Sequence, residues 1–235
     1  MTAAREKARF WNPPLASRAT RDPVAKSKGH VVGSLVDPST NRTIVFESTL
    51  EADLAYILLA DNSVEDVWEQ PPAVIYADSK GEKHKHTFDF LVRFKSGERV
   101  AIAVKPYSRV EPSKVRTVLK RIRQQTGSKF ADKFCICTEA EITRELAHNS
   151  RLIVRCRRMS DELQIAHMAK HAANLNGAVA IGELAYSSGL RDHALPAIIN
   201  LIDRGLLEVS DGRIDHFSSV RLKGQASARS AHRAA

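Results

Sequence analysis

The clearest pattern along the chain is the alternation over Thr87–Phe94. Phe88, Phe90, Val92 and Phe94 fall on one face of a strand, and Thr87, Asp89, Leu91 and Arg93 fall on the other. Val100, Ile102 and Val104 repeat the alternation, with Ala101, Ala103 and Lys105 opposite, until Pro106 ends the run. Ser96–Gly97 between the two runs predicts a β-hairpin. Counting outward from that turn sets Asp89 level with Lys105, to within one residue and on one face.

Upstream, order is expected from Ile44–Val45–Phe46 onward. Leu50, Leu54, Ile57 and Leu58 then recur at helical spacing. Ser48, three residues before Glu51, makes a capping box for that helix. Val67–Gln70 reads as a strand stopped by Pro71–Pro72, and Val74–Tyr76 as another before a polar turn at Asp78–Gly81. Past Pro112, the spacing of Val115, Val118, Leu119 and Ile122 predicts a helix ending near Gly127. A strand at Phe134–Cys137, a helix over Glu139–Ala147 and a strand at Leu152–Val154 complete the region, a sequence that favours a crossover with parallel pairing.

From Ser160 the period is helical. A helix is expected over Asp161–Ala173, a short one over Ile181–Tyr186, and a third carrying Leu195, Ile198, Ile199, Leu201 and Ile202. Leu206–Val209, an Asp211–Gly212 turn and a return at Ile214 close the set as a hairpin, the pattern of a winged helix-turn-helix. The expected organisation is a basic irregular arm (1–40), an α/β domain with a mixed sheet flanked by helices (41–158), a winged-helix domain (159–220) and a basic tail (221–235).

Charge adds a partner to this outline. A net charge of +9 and a pI near 9.6 point to a polyanion, with nucleic acid first among candidates. Lys114, Lys120, Arg121 and Arg123 on the predicted helix, and Arg191 before the third C-terminal helix, are the candidate DNA contacts. No apolar run is long enough to span a bilayer and the N-terminus lacks the apolar core of a secretory signal, so a cytoplasmic protein without a membrane partner is expected. The three cysteines show no paired-thiol spacing and read as small hydrophobes. His84 and His86 share a strand face, and His167 and His171 a helix face without a zincin glutamate; a solvated edge and a helix surface explain them more simply than a metal.

One constellation carries chemistry. Metal-dependent phosphodiester hydrolysis needs carboxylates to hold a hard cation and a lysine to stabilise charge. Asp89 and Lys105 on adjacent strands, with Glu51 on a helix packed against them, supply such a set. An ion pair beside a helix cap is the structural alternative.

At these residues the chain resembles the TnsA-like heteromeric transposase endonucleases of the PD-(D/E)xK superfamily. The resemblance lies in Phe46–Glu51, Val67–Pro72, Thr87–Val92, Gly97 and Val100–Pro106, in the family's order and with comparable gaps. It implies a restriction-endonuclease-like fold in which Glu51, Asp89 and Lys105 are catalytic. It further implies Mg²⁺ held by Glu51, Asp89 and the Val104 carbonyl, and cleavage of the 5′ strand at transposon-end DNA. The implied partners are a DDE-type transposase and an AAA+ ATPase regulator. Two positions depart from the pattern. Ala103 stands where the superfamily places Glu, Asp or Gln, and Phe88 where the family usually has Pro. Ala103 keeps open a nuclease-fold module that binds DNA or transposase without cutting. A winged-helix regulator with an α/β sensor domain is a third reading.

Overall fold

The computed structural model describes residues 12–21, 31–159, 161–210 and 212–224. In chain order, β1 (Gly33–Asp37) and β2 (Arg42–Phe46) form an antiparallel hairpin that leads into α1 (Thr49–Ala60) and β3 (Val64–Glu69). A second hairpin, β4 (Val74–Ala77) and β5 (Lys83–His86), precedes β6 (Phe90–Phe94) and β7 (Arg99–Val104). The short α2 (Tyr107–Val110), α3 (Val115–Thr126), β8 (Lys133–Cys137) and α4 (Arg144–Met159) follow. The remainder is α5 (Glu162–Ala172), β9 (Val179–Ala180), α6 (Ile181–Ser187), α7 (Ala194–Asp203), β10 (Leu207–Val209) and β11 (Ser219–Leu222).

The main sheet has the order β3-β6-β7-β8, antiparallel except for the parallel β7–β8 pair. The parallel pair is not the one expected: the crossover runs from β7 through α3 to β8, whereas the one expected between Phe134–Cys137 and Leu152–Val154 is absent because the latter segment is helical. Period-two alternation gives β6 and β7 an apolar side chain on each face, and a helix covers each. Leu54, Ala55 and Leu58 of α1 pack with Phe90, Val92, Ile102 and Val104. Val115, Leu119 and Ile122 of α3 pack with Ala101 and Ala103 on the other side.

The hairpin register differs from the expected one. Phe90 pairs with Ile102 and Arg93 with Arg99, and the Gly97 N–H donates to the Phe94 carbonyl. The connection is therefore the three residues Lys95–Ser96–Gly97, with Gly97 at φ +87°, a conformation glycine adopts without cost. Asp89 lies just beyond the last rung of this ladder, and its N–H donates to the carbonyl of Ile102, the residue that pairs with Phe90, so it is not level with Lys105. Phe88 also departs from its expected face. The ladder starts at Phe90, and Phe88 turns into the α3 side against Phe130 and Phe134.

Three other expectations are corrected. Leu152–Val154 is not a strand but the middle of α4, whose buried Val154 and Cys156 face different clusters of neighbours; a short apolar run does not by itself distinguish a strand from a helix buried on two sides. The helix expected from Glu139 begins at Arg144, because Thr138 and Glu141 close a separate turn through Thr138 N–H and Oγ1 donating to Glu141. Within the segment expected to be irregular, residues 33–37 are strand and residues 12–21 dock on the sheet; Arg5, Lys7, Arg9, Lys26 and Lys28 lie outside the described residues, as does the tail beyond 224.

The C-terminal unit packs α5, α6 and α7 under a three-stranded sheet of order β10-β11-β9. The hairpin return is β11, not Ile214. Ile214 is instead buried and pinned to α4, its N–H donating to Asn149 Oδ1 while Asn149 Nδ2 donates to the Gly212 carbonyl. Helix α4 packs against α1 on one side and α7 on the other, so one helix serves both units.

Candidate active site

The start of α1 shapes one wall of the site. Ser48 is the N-cap; its Oγ accepts from the Glu51 N–H at 3.1 Å and donates to Glu51 Oε1 at 2.8 Å. Glu51 Oε2 accepts from the Glu47 N–H at 2.8 Å, so the side chain reaches back one residue beyond the Ser48 N–H that the predicted capping box would use. The Glu51 carboxylate is thus turned back onto its own helix, yet it also lines a cleft of about 270 Å³ together with Asp89, Val104 and Lys105.

Asp89 comes from the opposite wall, where β6 begins. Its backbone carbonyl accepts from the Gln70 N–H, and its Oδ2 accepts from the Val104 N–H at 2.6 Å. The Oδ1 has no hydrogen-bond partner among the described residues. Burial raises the Asp89 carboxyl to about 6; the Glu51 charge pushes the same way, while the Val104 hydrogen bond and the Lys105 and Arg21 charges oppose it. Lys105 stands at the end of β7, fixed by its N–H donating to the Cys137 carbonyl, and its ammonium makes no hydrogen bond among the described residues. Three carboxylates (Glu47, Glu51 and Asp89), a lysine and an arginine (Arg21) therefore share one cleft, with hard oxygen atoms of the kind a divalent cation takes.

Ala103 is not on the wall of this cleft. It is buried in the apolar cluster of Phe88, Ala101 and Leu119 beneath α3, so a carboxylate substituted there would enter a hydrocarbon environment. The expectation that residue 103 shares the site's face with Asp89 is corrected accordingly.

The candidate DNA contacts lie elsewhere. Lys120 and Arg123, with Arg116 and Tyr107, line a cleft of about 450 Å³ between α3 and β8; Lys114 caps α3 with a left-handed backbone, and Arg121 is half-buried. Arg191 is exposed in a 3-10 turn before α7, whose residues 196–201 are all buried and offer no free face to a groove. His167 and His171 hydrogen-bond to Ser188 and Ser187. His84 joins Asp78 at the β4–β5 turn, whereas His86 is half-buried, its ring edge-to-face with Phe88.

The sequence reading missed Arg21. It lines the Glu51–Asp89–Lys105 cleft from a segment with no periodicity, and only its place in a basic arm hinted at a role.

Asp89 and His86 give opposite pH signatures. The Asp89 carboxyl sits at about 6 in the fold against an ordinary value of 3.8, so its contribution to stability is present below pH 3.8 and is lost as pH rises through 6. His86 is lowered from 6.5 to about 4 by burial and the Lys105 charge, so its contribution is present above pH 6.5 and is lost as pH falls through 4. Each amounts to about 3 kcal/mol at full extent, and the two offset each other in the wild type. Relative to wild type, Asp89→Asn should gain stability as pH rises from 4 to 6.5 and His86→Gln should lose it, as read from urea midpoints. Parallel curves for all three proteins would contradict the assignment.

Among known proteins, the model of the family described as TnsA-like endonuclease N terminal matches residues 61–139. The match covers about a third of the chain, from β3 through β8, and contains Asp89, Val104 and Lys105 but stops short of Glu51. No curated protein matches the chain. No helix among the described residues is long and apolar enough to cross a membrane. Mixed-sheet architecture, an Asp–Lys pair at the ends of β6 and β7, and this match lead to one conclusion: residues 61–139 are similar to the TnsA-like endonuclease N-terminal domain.

Proposed function

We propose that this protein is the Mg²⁺-dependent DNA endonuclease subunit of a heteromeric transposase, cutting the 5′ strand at transposon ends. The observation that carries the reading is the convergence of Glu51, Asp89 and Lys105 on one cleft inside a TnsA-like fold. The donor set fits the cation. Asp89 is a buried carboxylate raised partly by Glu51, the arrangement a divalent ion relieves, and Asp89 Oδ1 is uncommitted. Glu51, Asp89 and the Val104 carbonyl would hold it. Bound there, Mg²⁺ supplies Lewis-acid polarisation of the phosphate and an activated water.

The chain's own residues do the rest. The Val104 N–H fixes Asp89 Oδ2 and thereby aims Oδ1. The Lys105 ammonium, free of protein partners among the described residues, donates to a phosphoryl oxygen as charge develops. The groove of Arg116, Lys120 and Arg123 takes the DNA backbone beyond the cut. In the C-terminal unit, the order α5, β9, α6, α7, β10, β11, with β11 between its neighbours, supports the winged-helix reading. Its buried α7 and its exposed Tyr186 (92 %) and Phe217 (85 %) favour protein contact, with the DDE-type transposase or an AAA+ ATPase, over groove reading.

The engagement of both Glu51 oxygens at the start of α1 supports a second reading, a nuclease-fold module that binds DNA or transposase without cutting. Incubation of transposon-end duplex with this chain and its partner transposase separates the two. Strand cleavage in Mg²⁺ that EDTA abolishes is the expected result. Salt-sensitive DNA binding with no cleavage would establish the binding module instead.

A further inference from the structure

Residues 12–21 form a strap along the main sheet. Leu15 bridges to Arg42 at the edge of β2, and Asn41 Nδ2 donates to the carbonyl of Pro13. Arg18 is consumed by the strap's own docking. Its Nη2 donates to Asp66 Oδ1 at 2.7 Å and to the Val67 carbonyl at 2.8 Å, its guanidinium lies over Trp68, and its carbonyl accepts from Trp68 Nε1. The Thr20 N–H and Oγ1 both donate to the Gln70 carbonyl at 3.0 Å. The next residue is Arg21, which reaches the Asp89–Lys105 cleft.

The corner that receives the strap is the Glu69–Gln70 end of β3. Glu69 is fully buried and makes no ion pair among the described residues; its Oε1 accepts from Ser17 Oγ and the Arg18 N–H, both strap groups. A buried carboxyl group at a strand end is a poor choice for core packing. Gln70 adds a left-handed backbone, φ +42°, at a non-glycine residue, and joins Asp89 to the strap by donating its N–H to the Asp89 carbonyl and accepting from Thr20. Such a conformation persists only where the surroundings enforce it. A buried acid and a strained residue thus both serve to seat this one segment beside the cleft.

Arg21 itself is only lightly held. Its Nη2 donates to Glu47 Oε2 at 2.6 Å, the side chain is 45 % exposed, and its remaining N–H groups have no partner among the described residues. A guanidinium presents a planar fork that matches two phosphate oxygens, and this pair is open to solvent on the arginine side, 45 % against 16 % for Glu47. Lys105 stands on the same cleft as a second, compact cation.

We propose that Arg21 is a catalytic residue: its guanidinium binds the scissile phosphate of the DNA alongside Lys105, and the N-terminal strap is a built part of the active site. The inference rests on the nuclease reading above and supplies a phosphate ligand that the 61–139 match does not contain. Leaving Glu47 for the phosphate, Arg21 moves from one anion to another, so no charge is left unpaired on its side.

The test is single-turnover cleavage of transposon-end duplex by the full chain with its partner transposase, comparing wild type, Arg21→Ala, Arg21→Lys and Asp89→Ala. Arg21→Ala is expected to slow cleavage about 100-fold, the scale of losing one oxyanion donor, while DNA affinity changes less than about threefold. Arg21→Lys should recover part of the rate, and neither should shift the melting temperature more than slightly, since the lost ion pair is half-exposed. A purely structural strap would instead lower melting and rate together, with no rescue by lysine, and that result overturns the proposal. Wild type that cuts with Arg21→Ala unchanged sinks the Arg21 assignment alone. Wild type that never cuts sinks the nuclease reading and this proposal with it.

Discussion

Asp89→Ala is expected to reduce Mg²⁺-supported strand cleavage by about 10³-fold while leaving a folded protein. Its Oδ1 has no hydrogen-bond partner among the described residues, whereas both oxygens of Glu51 are engaged at the start of α1. The effect on stability is small because two contributions oppose each other. Removing the side chain leaves the Val104 N–H without its acceptor, at about 1–3 kcal/mol. It also removes a buried carboxyl raised to about 6, which at neutral pH is ionised against its surroundings. Asp89→Asn keeps an acceptor for Val104 and should fail equally in cleavage, which separates charge from shape. Cleavage by Asp89→Ala within tenfold of wild type would remove Asp89 from the chemistry.

The second large effect lies far from the site, at Arg157 of α4. Its Nε and Nη2 donate to the two oxygens of Asp203 at 2.7 Å, its Nη1 to the Leu59 carbonyl, and its Nη2 also to the Ala60 carbonyl and Asn62 Oδ1. One guanidinium therefore satisfies the carbonyls at the C-terminal end of α1 and ties them to α7 of the other unit. Arg157→Ala should cost about 3 kcal/mol, read as a lower urea midpoint, because the Asp203 side chain, 9 % exposed, loses its cation. Arg157→Lys should rescue little, as a single ammonium cannot span the fork and both carbonyls. Asp203→Ala should be milder, since Arg157 keeps its acceptors on the α1 side. A loss under about 1 kcal/mol for Arg157→Ala would show that the units do not depend on this residue.

Much of this was legible in the sequence because it is written in local periods. Alternation gave β6 and β7, helical spacing gave α1 and α3, and Ser48–Glu51 gave the N-cap. The convergence of Glu51, Asp89 and Lys105 was legible too, through a resemblance in the residues themselves rather than through the strand register. What escaped depends on contacts distant in sequence. Leu152–Val154 reads as a strand until α1 and α7 are known to flank it, which makes a two-sided helix the lower-energy solution. Arg21 is invisible to any period because its position is set by Glu69 and Gln70, some fifty residues away. Ala103 looked like a vacancy in the site because alternation places it beside Asp89, but the ladder ends at Phe90 and the last residues no longer follow the pleat.

The Lys95–Ser96–Gly97 connection is, by position, the sort of exposed tip where one residue more or less is normally tolerated. Here it acts as a ruler. Each residue between Phe94 and Glu98 fixes which rungs of β6 and β7 meet, and the Asp89–Val104 bond lies about 17–20 Å down that ladder. A single deletion at the tip would leave both strands and every site residue in the chain, yet would shift each rung by one residue and move Asp89 off the Val104 N–H. The active site is thus measured from its most distant end.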